Sequence, residues 1–500
     1  VGNQIFREII SNEKNIETYF HSNLVSLKKQ DIGWCALINK NGELCNIYAK
    51  IVIDATELGD VSKLAGIKYK VGMDSQDETG EDIAPSESNN IIQDLTYVAI
   101  LKDYGKNVTI EEPQGYNPSH FACAAINDLC VSPKEPNRMW EKEMMISYGK
   151  LPNNKYMINW PIEGNDYYLN LIDLTAEERE EELKKAKQKT FNFIYFIQKE
   201  LGFSNLGLAD DEFPTLDLLP LIPYHRESRR IDGEVCFTLN HIVDPYNQKE
   251  KLYRTTVAVG DYPIDHHHTQ YQGYEQLPDL HFYSVPSYGL PLGTMIPKEI
   301  DGFIVGEKSL SVTNLVNGTT RLQPVVLQVG QICGILASQA ISKELQVRDV
   351  SVREVQSIML ENGGFLLPYL DVEKKDENFL AYQRIGATGI LKSQGKSVDW
   401  SNETWLRVND LLAIDELEGL IDFYDLDWDI ESTTKITHLE VAGWIEEIAK
   451  KEELVVNPYD YLKGKDMNEG ITRGEYAVMI DALLKPFQSK EVDLRGNLIK

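Results

Sequence analysis

The chain has 500 residues, of which 42% are hydrophobic and 26% are charged, as in ordinary globular proteins. A chain of this length exceeds one hydrophobic core, so two or three domains are expected. The formal net charge of −28 argues against nucleic acid or an anionic membrane surface as a partner, because both would repel the protein. Its apolar runs stay well below the roughly 18 residues of a membrane span, which predicts no transmembrane segment.

The six cysteines are scattered and lack the Cys-x-x-Cys spacing that is typical of zinc sites. This distribution argues against a structural zinc site and against a disulfide framework. Cys35 and Cys45 flank a predicted hairpin and could form a disulfide with each other, but a small buried apolar role is favoured for them.

Local patterns in the first hundred residues predict a helix, a hairpin and a strand. Residues 1–20 carry apolar side chains at helical spacing. Asn41-Gly42 stands between two strand-like runs and is a strong hairpin signal. The sequence Ile-Val-Ile at residues 51–53 is an uninterrupted apolar run, as expected of a strand in a fully buried parallel sheet.

The rest of the chain divides into three regions. Residues 96–295 mix strands with one long charged helix at 175–201 and predict an inserted α+β substrate domain. One face of that helix is apolar, and the remainder is interpreted as a solvated Glu/Lys surface. Residues 296–365 return to a buried strand and to a helix that begins near Pro324. Residues 385–500 predict an acidic C-terminal helical module with a weak internal repeat, in which Asn409 and Thr472 each precede a helix. The predicted inner face of the long helix consists of Leu183, Ala186, Thr190, Phe193 and Ile197.

Two segments point to cofactor chemistry. The first follows the strand of residues 51–53 and supplies small or polar residues at the strand end, where a longer side chain would hold a nucleotide away from the backbone. An ordinary strand-to-helix turn explains the same residues equally well. The candidates in this segment are Asp54, Ala55, Thr56, Gly59 and Asp60.

The second segment joins a strand that ends at Gly306-Glu307 to the helix after Pro324 through a Gly/Ser/Thr/Asn-rich connection. Each glycine inside a helix lowers the stability of the helix by about 1 kcal/mol relative to alanine, so a close contact should offset this loss. The positive N-terminal end of this helix could stabilise a reduced flavin, or could receive any phosphate or carboxylate. Tight helix–sheet packing is the simpler explanation. The small-residue ridge of this helix is formed by Gly330, Gly334 and Ser338.

At these motifs the sequence resembles FAD-dependent oxidoreductases of the glutathione-reductase-like type, which have two dinucleotide-binding domains. More closely, it is similar to the bacterial FAD-dependent oxidoreductases that are often labelled xanthan-lyase-like. The resemblance covers about residues 1–365. It implies an α/β fold with a Rossmann-like FAD/NAD(P)-binding core, FAD as cofactor, and hydride transfer from a small organic or carbohydrate-derived substrate to flavin, with an unknown electron acceptor. The motifs that carry it are "IVIDATELGDVSKLAGIKYKVG", "IPYHRESRRIDGEV", "VAVGDYPIDHHHT", "PLGTMIPKEIDGFIVGEKSLSVTN" and "RLQPVVLQVGQICGILA".

Members of this family begin with a strand, a Gly-x-Gly-x-x-Gly turn and an acidic residue that holds the AMP half of FAD. The present sequence contains no such turn, so we expect that the core lacks its N-terminal βαβ unit and that residues 1–500 alone bind FAD weakly. The resemblance assigns residues 1–95 and 296–365 to the FAD-binding domain. It places the residues around Asp54 on the adenine–ribose side, and Glu307 as an acceptor for a ribityl hydroxyl. At the flavin end it places Gly306, Glu307, Arg321 and Gly330.

Flavin oxidation of a C–H bond usually needs a protein base for the companion proton. The Tyr-x-x-Asp-x-His pattern of the family is matched by Tyr262, Asp265 and His267, which makes His267 the first candidate for the base. A solvated histidine-rich loop is the competing interpretation. His266 and His268 flank His267 and could bind a metal together. The sequence offers no evident third ligand beside them, so no metal is predicted.

The motif "YHRESRR" contributes three arginines that could clamp a carboxylate or stabilise a reduced flavin. Arg229 is the catalytic candidate among them, and surface salt bridging is expected for at least one of Arg226, Arg229 and Arg230. Tyr288 and Arg321 precede the cofactor strand and the cofactor helix, so both are candidates to face the substrate.

The C-terminal residues 385–500 resemble S-layer homology repeats. This resemblance implies association with cell-wall carbohydrate and favours a periplasmic or cell-envelope location, whereas a helical bundle that packs on the catalytic domain explains the same residues. Two rival functions remain open. One is a flavin-independent polysaccharide lyase with His267 or Tyr288 as base and Arg229 as carboxylate neutraliser. The other is a non-catalytic envelope attachment protein.

Overall fold

The computed structural model describes residues 2–398, 401–428 and 435–499 and shows a mixed α/β fold, as the sequence predicted. The strands are β1 (Ser22–Lys29), β2 (Trp34–Lys40), β3 (Glu43–Ala49), β4 (Val52–Asp54), β5 (Tyr69–Lys70), β6 (Leu95–Thr96), β7 (Ala99–Asp103), β8 (Lys150–Leu151), β9 (Lys155–Ile158), β10 (Asp166–Tyr167), β11 (Leu206–Leu208), β12 (Arg230–Ile231), β13 (Thr256–Gly260), β14 (Tyr288–Pro291), β15 (Phe303–Val305), β16 (Gln394–Val398) and β17 (Ser401–Trp405). The helices are α1 (Gly2–Asn12), α2 (Asp60–Leu64), α3 (Gln76–Thr79), α4 (Lys142–Tyr148), α5 (Ala176–Lys199), α6 (Leu239–Val243), α7 (Asn314–Thr320), α8 (Gln323–Ser342), α9 (Val352–Glu361), α10 (Phe379–Thr388), α11 (Glu418–Tyr424), α12 (His438–Lys451), α13 (Pro458–Tyr461), α14 (Arg473–Leu483) and α15 (Pro486–Ser489).

Strands β1, β2 and β3 form an antiparallel sheet in chain order, and the predicted hairpin between β2 and β3 is confirmed. Asn41 and Gly42 both have positive φ, 51° and 94°, as a two-residue hairpin turn requires. Trp34 of β2 is buried, and its indole N–H donates a hydrogen bond to the carbonyl of Gly302 at 2.8 Å. Its ring packs against Phe303 of β15 with 5.6 Å between ring centroids, and Leu27 of β1 belongs to the same hydrophobic cluster, so Trp34 and Leu27 attach the sheet to β15.

Strands β4 and β15 pair in parallel, with Val305 opposite Asp54. The predicted parallel strand is therefore confirmed, but the predicted full burial is wrong for Ile53, which is 41% exposed. Within the described ranges β15 is the one strand paired with β4, and the Ile53 side chain has no covering layer. The ends of β4 and β15 thus lie side by side at the edge where cofactors bind in parallel sheets.

The predicted helix after Pro324 is α8, and its inner face is buried as expected. The preceding segment differs from the prediction. Part of the expected connection is the buried helix α7, whose N-cap Thr313 accepts a hydrogen bond from the backbone N–H of Val316 at 3.4 Å. Among the described helices α8 alone has the length and apolar composition of a membrane span, which is weak evidence because core helices meet the same criteria.

Two large hydrophobic cores organise the middle and the end of the chain. One is built from Leu58 and residues between 95 and 219, and it contains the predicted inner face of α5. The other joins residues from Val235 onward, including α8 and α9, to the C-terminal helices as far as Val492. The C-terminal helices therefore share a core with the region that carries β13, β14 and α8. The domain boundaries given above and carbohydrate binding by the C-terminal residues stay predictions.

Within the C-terminal helices, Thr472 caps α14, as the repeat predicted. Asn409 caps no helix, because the following α11 begins only at Glu418. A threonine also caps α12, where the hydroxyl of Thr437 accepts a hydrogen bond from the N–H of Glu440 at 3.3 Å.

The cysteines also depart from expectation, because Cys123 and Cys130 form a disulfide. A compact turn segment brings their Cα atoms to 4.7 Å, and the sequence spacing did not reveal this contact. Cys35 and Cys45 are not paired with each other, because they face Tyr48 and Ile38 across the hairpin. Cys45 is exposed, so the expected buried role is wrong for it.

Replacing Trp34 should detach the β1–β3 sheet from β15. We expect Trp34→Phe to lower the free energy of unfolding by about 1–3 kcal/mol, because it removes one of the two N–H donors to the Gly302 carbonyl, leaving that of Val52, and opens a small cavity. Urea denaturation measures the change. Tyr48→Phe on the exposed face of β3 is the control and should stay within about 0.5 kcal/mol of the unaltered chain. Equal losses in both variants would contradict the assignment.

Candidate functional site

The turn between β4 and α2 is held by the buried carboxylate of Asp54. Its Oδ1 accepts hydrogen bonds from the backbone N–H and the hydroxyl of Thr56, at 2.9 and 2.6 Å. Its Oδ2 accepts from the N–H and the hydroxyl of Ser62, at 2.7 and 2.6 Å. Asp54 and Thr56 therefore fix the turn with their side chains. Ala55, which is exposed between them, is the position that a ligand can reach.

Gly59 and Asp60 pack against the protein itself. Gly59 has φ 68°, and an added Cβ would lie 2.7 Å from the Ser309 hydroxyl and 3.2 Å from the Cβ of Arg229. Asp60 forms ion pairs with Arg179 at 2.8 Å and with Arg229 at 2.7 Å. Burial raises the pKa of Asp60, but the two guanidinium groups lower it by more, so the net shift is downward. Only glycine fits at position 59, and the charge of Asp60 is balanced internally.

Gly306 and Glu307 follow β15 and lie beside the Asp54 turn. The N–H of Gly306 donates to the carbonyl of Asp54 at 2.8 Å, and an added Cβ would lie 3.4 Å from Sγ of Cys333 in α8. Glu307 has φ 57°, a conformation that is uncommon for a residue with a side chain. Its Oε2 accepts two hydrogen bonds from Lys308, both at 2.6 Å. The two predicted cofactor segments are therefore in direct contact.

The predicted small-residue ridge of α8 is open rather than packed. Within the described part of the chain, a Cβ added at Gly330 or Gly334 would meet no atom within 4 Å. Gly330 lies about one turn before Cys333, where α8 touches Gly306. Oε1 of Glu307 takes no hydrogen bond from the described residues. Open glycines and the exposed Ala55 leave backbone accessible, and these residues fit a flat cofactor such as FAD.

His267 lies between two buried carboxylates. Its Nδ1 is 2.8 Å from Oδ2 of Asp166, and its Nε2 is 3.2 Å from Oδ2 of Asp265. Burial and Arg226 lower the pKa of His267, but the two carboxylates outweigh them and the net shift is upward. His267 is thus a donor at both nitrogens in this arrangement, and its role as a base stays a prediction. The alternative of a solvated loop is wrong for the neighbouring His266 and His268, which are 6% and 7% exposed.

Asp265 brings Arg321 to the same cluster. The guanidinium of Arg321 donates to the carbonyl of Asp265 and to the hydroxyl of Tyr224, both at 2.8 Å. Tyr288 lies elsewhere, in β14, where its hydroxyl accepts a hydrogen bond from Thr319 at 3.0 Å. No hydrogen bond recorded for the described residues joins Tyr288 to His267 or Arg321. The structure therefore groups two of the four predicted catalytic residues.

The three arginines of "YHRESRR" are all buried, so the expected surface position for at least one of them is wrong. Arg229 donates to the Leu58 carbonyl at 2.8 Å and pairs with Asp173 at 3.1 Å, besides its contact with Asp60. The acidic chain supplies carboxylates in its interior, and these compensate the guanidinium groups. In this arrangement the charge of Arg229 is already balanced by two carboxylates.

A cavity of about 1160 Å³ is lined in part by Lys189, Gln270 and Tyr271, and by Tyr167, which follows Asp166 in the chain. The ammonium of Lys189 donates to the side chain of Gln270, whose backbone N–H donates to Oδ2 of Asp94 at 3.0 Å. Burial lowers the pKa of Lys189 to about 8, against the opposing effect of Asp94. Sequence reasoning assigned the charged residues of α5 to a solvated surface and missed Lys189. The position of this residue just before the buried Thr190 was the available signal.

Comparison with known proteins gives a family for most of the chain. Residues 1–359 match the family model described as FAD dependent oxidoreductase. No curated protein and no solved structure matches the chain. The matched range contains the paired strand ends, the cavity residues and the His267 cluster, and it stops before α10.

Adding a methyl group at Gly59 should disturb the strand-end turn beyond the cost of its backbone conformation. We expect Gly59→Ala to lower the free energy of unfolding by about 2–4 kcal/mol, because strain at positive φ adds to a collision with Ser309. Gly66→Ala is the matched control, since Gly66 has φ 77° but open space around the added Cβ, and it should cost only about 1 kcal/mol. Chemical denaturation of both variants checks this. Equal losses would show that packing at Gly59 contributes nothing.

Proposed function

Because the chain belongs to the FAD dependent oxidoreductase family, we propose that it oxidises a small, negatively charged, hydroxylated compound such as a sugar acid or a hydroxy acid. FAD is the cofactor of the family, and when bound it supplies the hydride acceptor. The residues of this chain supply binding, charge and orientation. The observation that carries the substrate class is a pair of cavity lysines, Lys134 and Lys189, that form no ion pair with a carboxylate of the described residues.

The cofactor surface is formed by the ends of β4 and β15 together with α8. Ala55 and Gly330 leave backbone uncovered, and Gly306 joins the two strand ends to the helix. Glu307 is held by Lys308 through one oxygen, which leaves Oε1 to accept from a ligand hydroxyl. We assign FAD to this surface because it combines flat, uncovered backbone with a fixed acceptor.

The cavity favours an anion because of how its lysines are paired. Lys184 and Lys185 line it but are neutralised by neighbouring glutamates at 2.6 Å. Lys134 and Lys189 also line it, and neither forms an ion pair with any described residue. In a chain of net charge −28, cations that remain without a carboxylate mark a position for a bound negative group.

The aromatic wall of the same cavity suits a hydroxylated compound. Tyr168 and Tyr271 pack edge to face with 4.9 Å between ring centroids and both line the cavity. Such rings offer apolar faces with polar hydroxyls at one end. Gln270 connects this wall to Asp94, whose backbone N–H donates to the carbonyl of His267 at 2.7 Å. The substrate position is thereby linked to the cluster that holds Asp166 and Asp265.

An oxidising location, such as the periplasm or the cell surface, is part of the proposal. The disulfide between Cys123 and Cys130 supports it, because such bonds persist mainly outside the reducing cytoplasm.

The reaction itself is tested by anaerobic addition of sugar acids and hydroxy acids to the FAD-loaded chain. We expect the absorbance of oxidised flavin to be lost with an acidic substrate and to persist with the corresponding neutral sugar. Formation of an unsaturated uronate without loss of flavin absorbance would instead identify the rival polysaccharide lyase.

The open face of α8 gives a test of cofactor placement. Gly330→Ala should raise the stability of the flavin-free chain by about 0.5–1 kcal/mol, because alanine is the better helix former. The same methyl group should weaken FAD binding about tenfold, since overpacking of a close contact costs 1 kcal/mol or more. Thermal unfolding and titration of FAD by fluorescence measure the two effects.

Gly443→Ala in α12 is the matched control for that test. Gly443 is also helical and has open space around an added Cβ, so the variant should gain stability without any change in FAD affinity. Equal FAD affinity in the two variants, or no saturable binding by the unaltered chain, would contradict the placement.

Lys189 gives a prediction of pH dependence. Its folded pKa, lowered to about 8, keeps the ammonium charged at pH 7 and discharges it as the pH rises. Affinity for an acidic sugar should therefore be constant below pH 7 and fall by up to about tenfold per pH unit above pH 8. Calorimetric titration with galacturonate, with galactose as the neutral comparison, measures this dependence.

Two variants complete the pH experiment. Lys189→Met should weaken galacturonate binding about tenfold and abolish the decline above pH 8. Lys184→Met, whose ammonium is already paired with Glu181, should retain both the affinity and the decline. Equal binding of galactose and galacturonate by the unaltered chain would refute an anion position in the cavity.

A further inference from the structure

Three buried side chains from two separate segments converge behind the His267 cluster. They are Glu227, His266 and His268, which are 3%, 6% and 7% exposed. One ligand-type atom of each lies within 4.8 Å of the others. Sequence spacing offered no third ligand for the histidines, and the fold brings Glu227 to them from a distant part of the chain.

The spacing of the two histidines matches a shared metal ion. Nδ1 of His266 lies 3.3 Å from Nε2 of His268. With metal–nitrogen bonds of 2.0–2.1 Å, two nitrogens on a tetrahedral zinc ion are about 3.3–3.4 Å apart. The side chains therefore already stand at the separation that the ion requires, and without an ion they can share one hydrogen bond.

Glu227 presents an unused carboxylate oxygen in the buried interior. Its Oε1 accepts hydrogen bonds from the N–H of Gln93 at 3.2 Å and from the side-chain amide of Asn314 at 2.9 Å. Its Oε2 is buried and has no hydrogen-bond partner among the described residues. Nη1 of Arg230 forms a long ion pair with this oxygen at 4.0 Å without donating a hydrogen bond to it, whereas Nη2 donates to Asp74 at 3.0 Å. A buried carboxylate oxygen without a donor is costly, and a bound cation removes that cost.

The surroundings hold these side chains in place. Gly318 of α7 lets the His266 ring lie against the helix, since an added Cβ would be 2.6 Å from its Nε2. Asn314, on the same helix, orients Glu227 through the bond to Oε1. Outer contacts of this kind fix the rings and carboxylates of metal ligands.

The cluster is also accessible. His266 and His268 line a cavity of about 330 Å³ whose wall includes Arg138, Asp279 and His281. An ion held by the three side chains would keep a coordination position open toward this cavity, where water or a small ligand can bind.

We propose that Glu227, His266 and His268 bind a divalent transition-metal ion, and that zinc is the ion they fit best. Two imidazoles and one carboxylate are a common set for zinc, and the nitrogen spacing agrees with tetrahedral geometry. The test uses the metal ion alone and needs neither FAD nor a substrate.

Zinc titration of the chelator-treated chain, with a chromophoric chelator as competitor, tests the site. We expect one equivalent of Zn²⁺ to bind and to raise the unfolding temperature. Co²⁺ in its place should give the intense visible absorption of a tetrahedral complex. Absence of saturable Zn²⁺ binding by the folded chain would overturn the proposal without any variant. A preference for Fe²⁺ with octahedral Co²⁺ spectra would refute zinc as the ion.

Variants then locate the ion. Glu227→Gln and His268→Ala should each weaken Zn²⁺ binding at least about tenfold and lose the Co²⁺ spectrum. His281→Gln, which changes a histidine of the same cavity outside the trio, should bind Zn²⁺ as the unaltered chain does. Circular dichroism confirms that each variant is folded. Retained binding in the first two variants, or an equal loss in the His281 variant, would show that the metal sits elsewhere.

Discussion

The pairing of β4 with β15 brings together two segments that lie far apart in the sequence, near the two ends of the family-matched region. The backbone bond from Gly306 to the carbonyl of Asp54 aligns the strand ends, and the carboxylate of Asp54 accepts four hydrogen bonds that close the turn beside them. A buried carboxylate is held rigidly when all its hydrogen bonds are formed, and it destabilises the fold when one of them is missing. The turn that presents Ala55 and the strand end that presents Glu307 therefore keep one geometry, on which any cofactor contact depends.

Charge is the second constraint. The chain is strongly acidic, yet three arginines in one short motif are buried and each pairs with carboxylates: Arg226 with the buried Asp166, Arg230 with the buried Asp74, and Arg229 with the more exposed Asp60 and Asp173. Removal of one partner from such a pair leaves an uncompensated buried charge. Because most cations near the site are neutralised in this way, the two lysines of the cavity without carboxylate partners stand apart. This contrast with the paired cations is the basis of the anion position proposed for the cavity.

The sequence predicted those elements whose signals are local. Asn41-Gly42 specified a turn, the apolar face of α5 specified which side is buried, and Pro324 marked the start of α8, because each depends on neighbours in the chain. The missed features depend on distant contacts. Lys189 belongs to a run that resembles a solvated surface until Gln270 and Asp94 are placed beside it. Glu227 is one charge among several in its motif until the fold brings two histidines to it.

Helix α7 contacts several of these features, although the sequence predicted an irregular connection in its place. Its first residue, Asn314, donates to Asp74 and to Glu227, its glycine receives the ring of His266, and the following Arg321 donates to Asp265. One buried helix of two turns therefore positions the proposed metal ligands and the guanidinium next to His267. Since protein interiors are close-packed and a buried helix cannot shift without breaking these bonds, α7 gives the proposed metal ligands and Arg321 one common structural support.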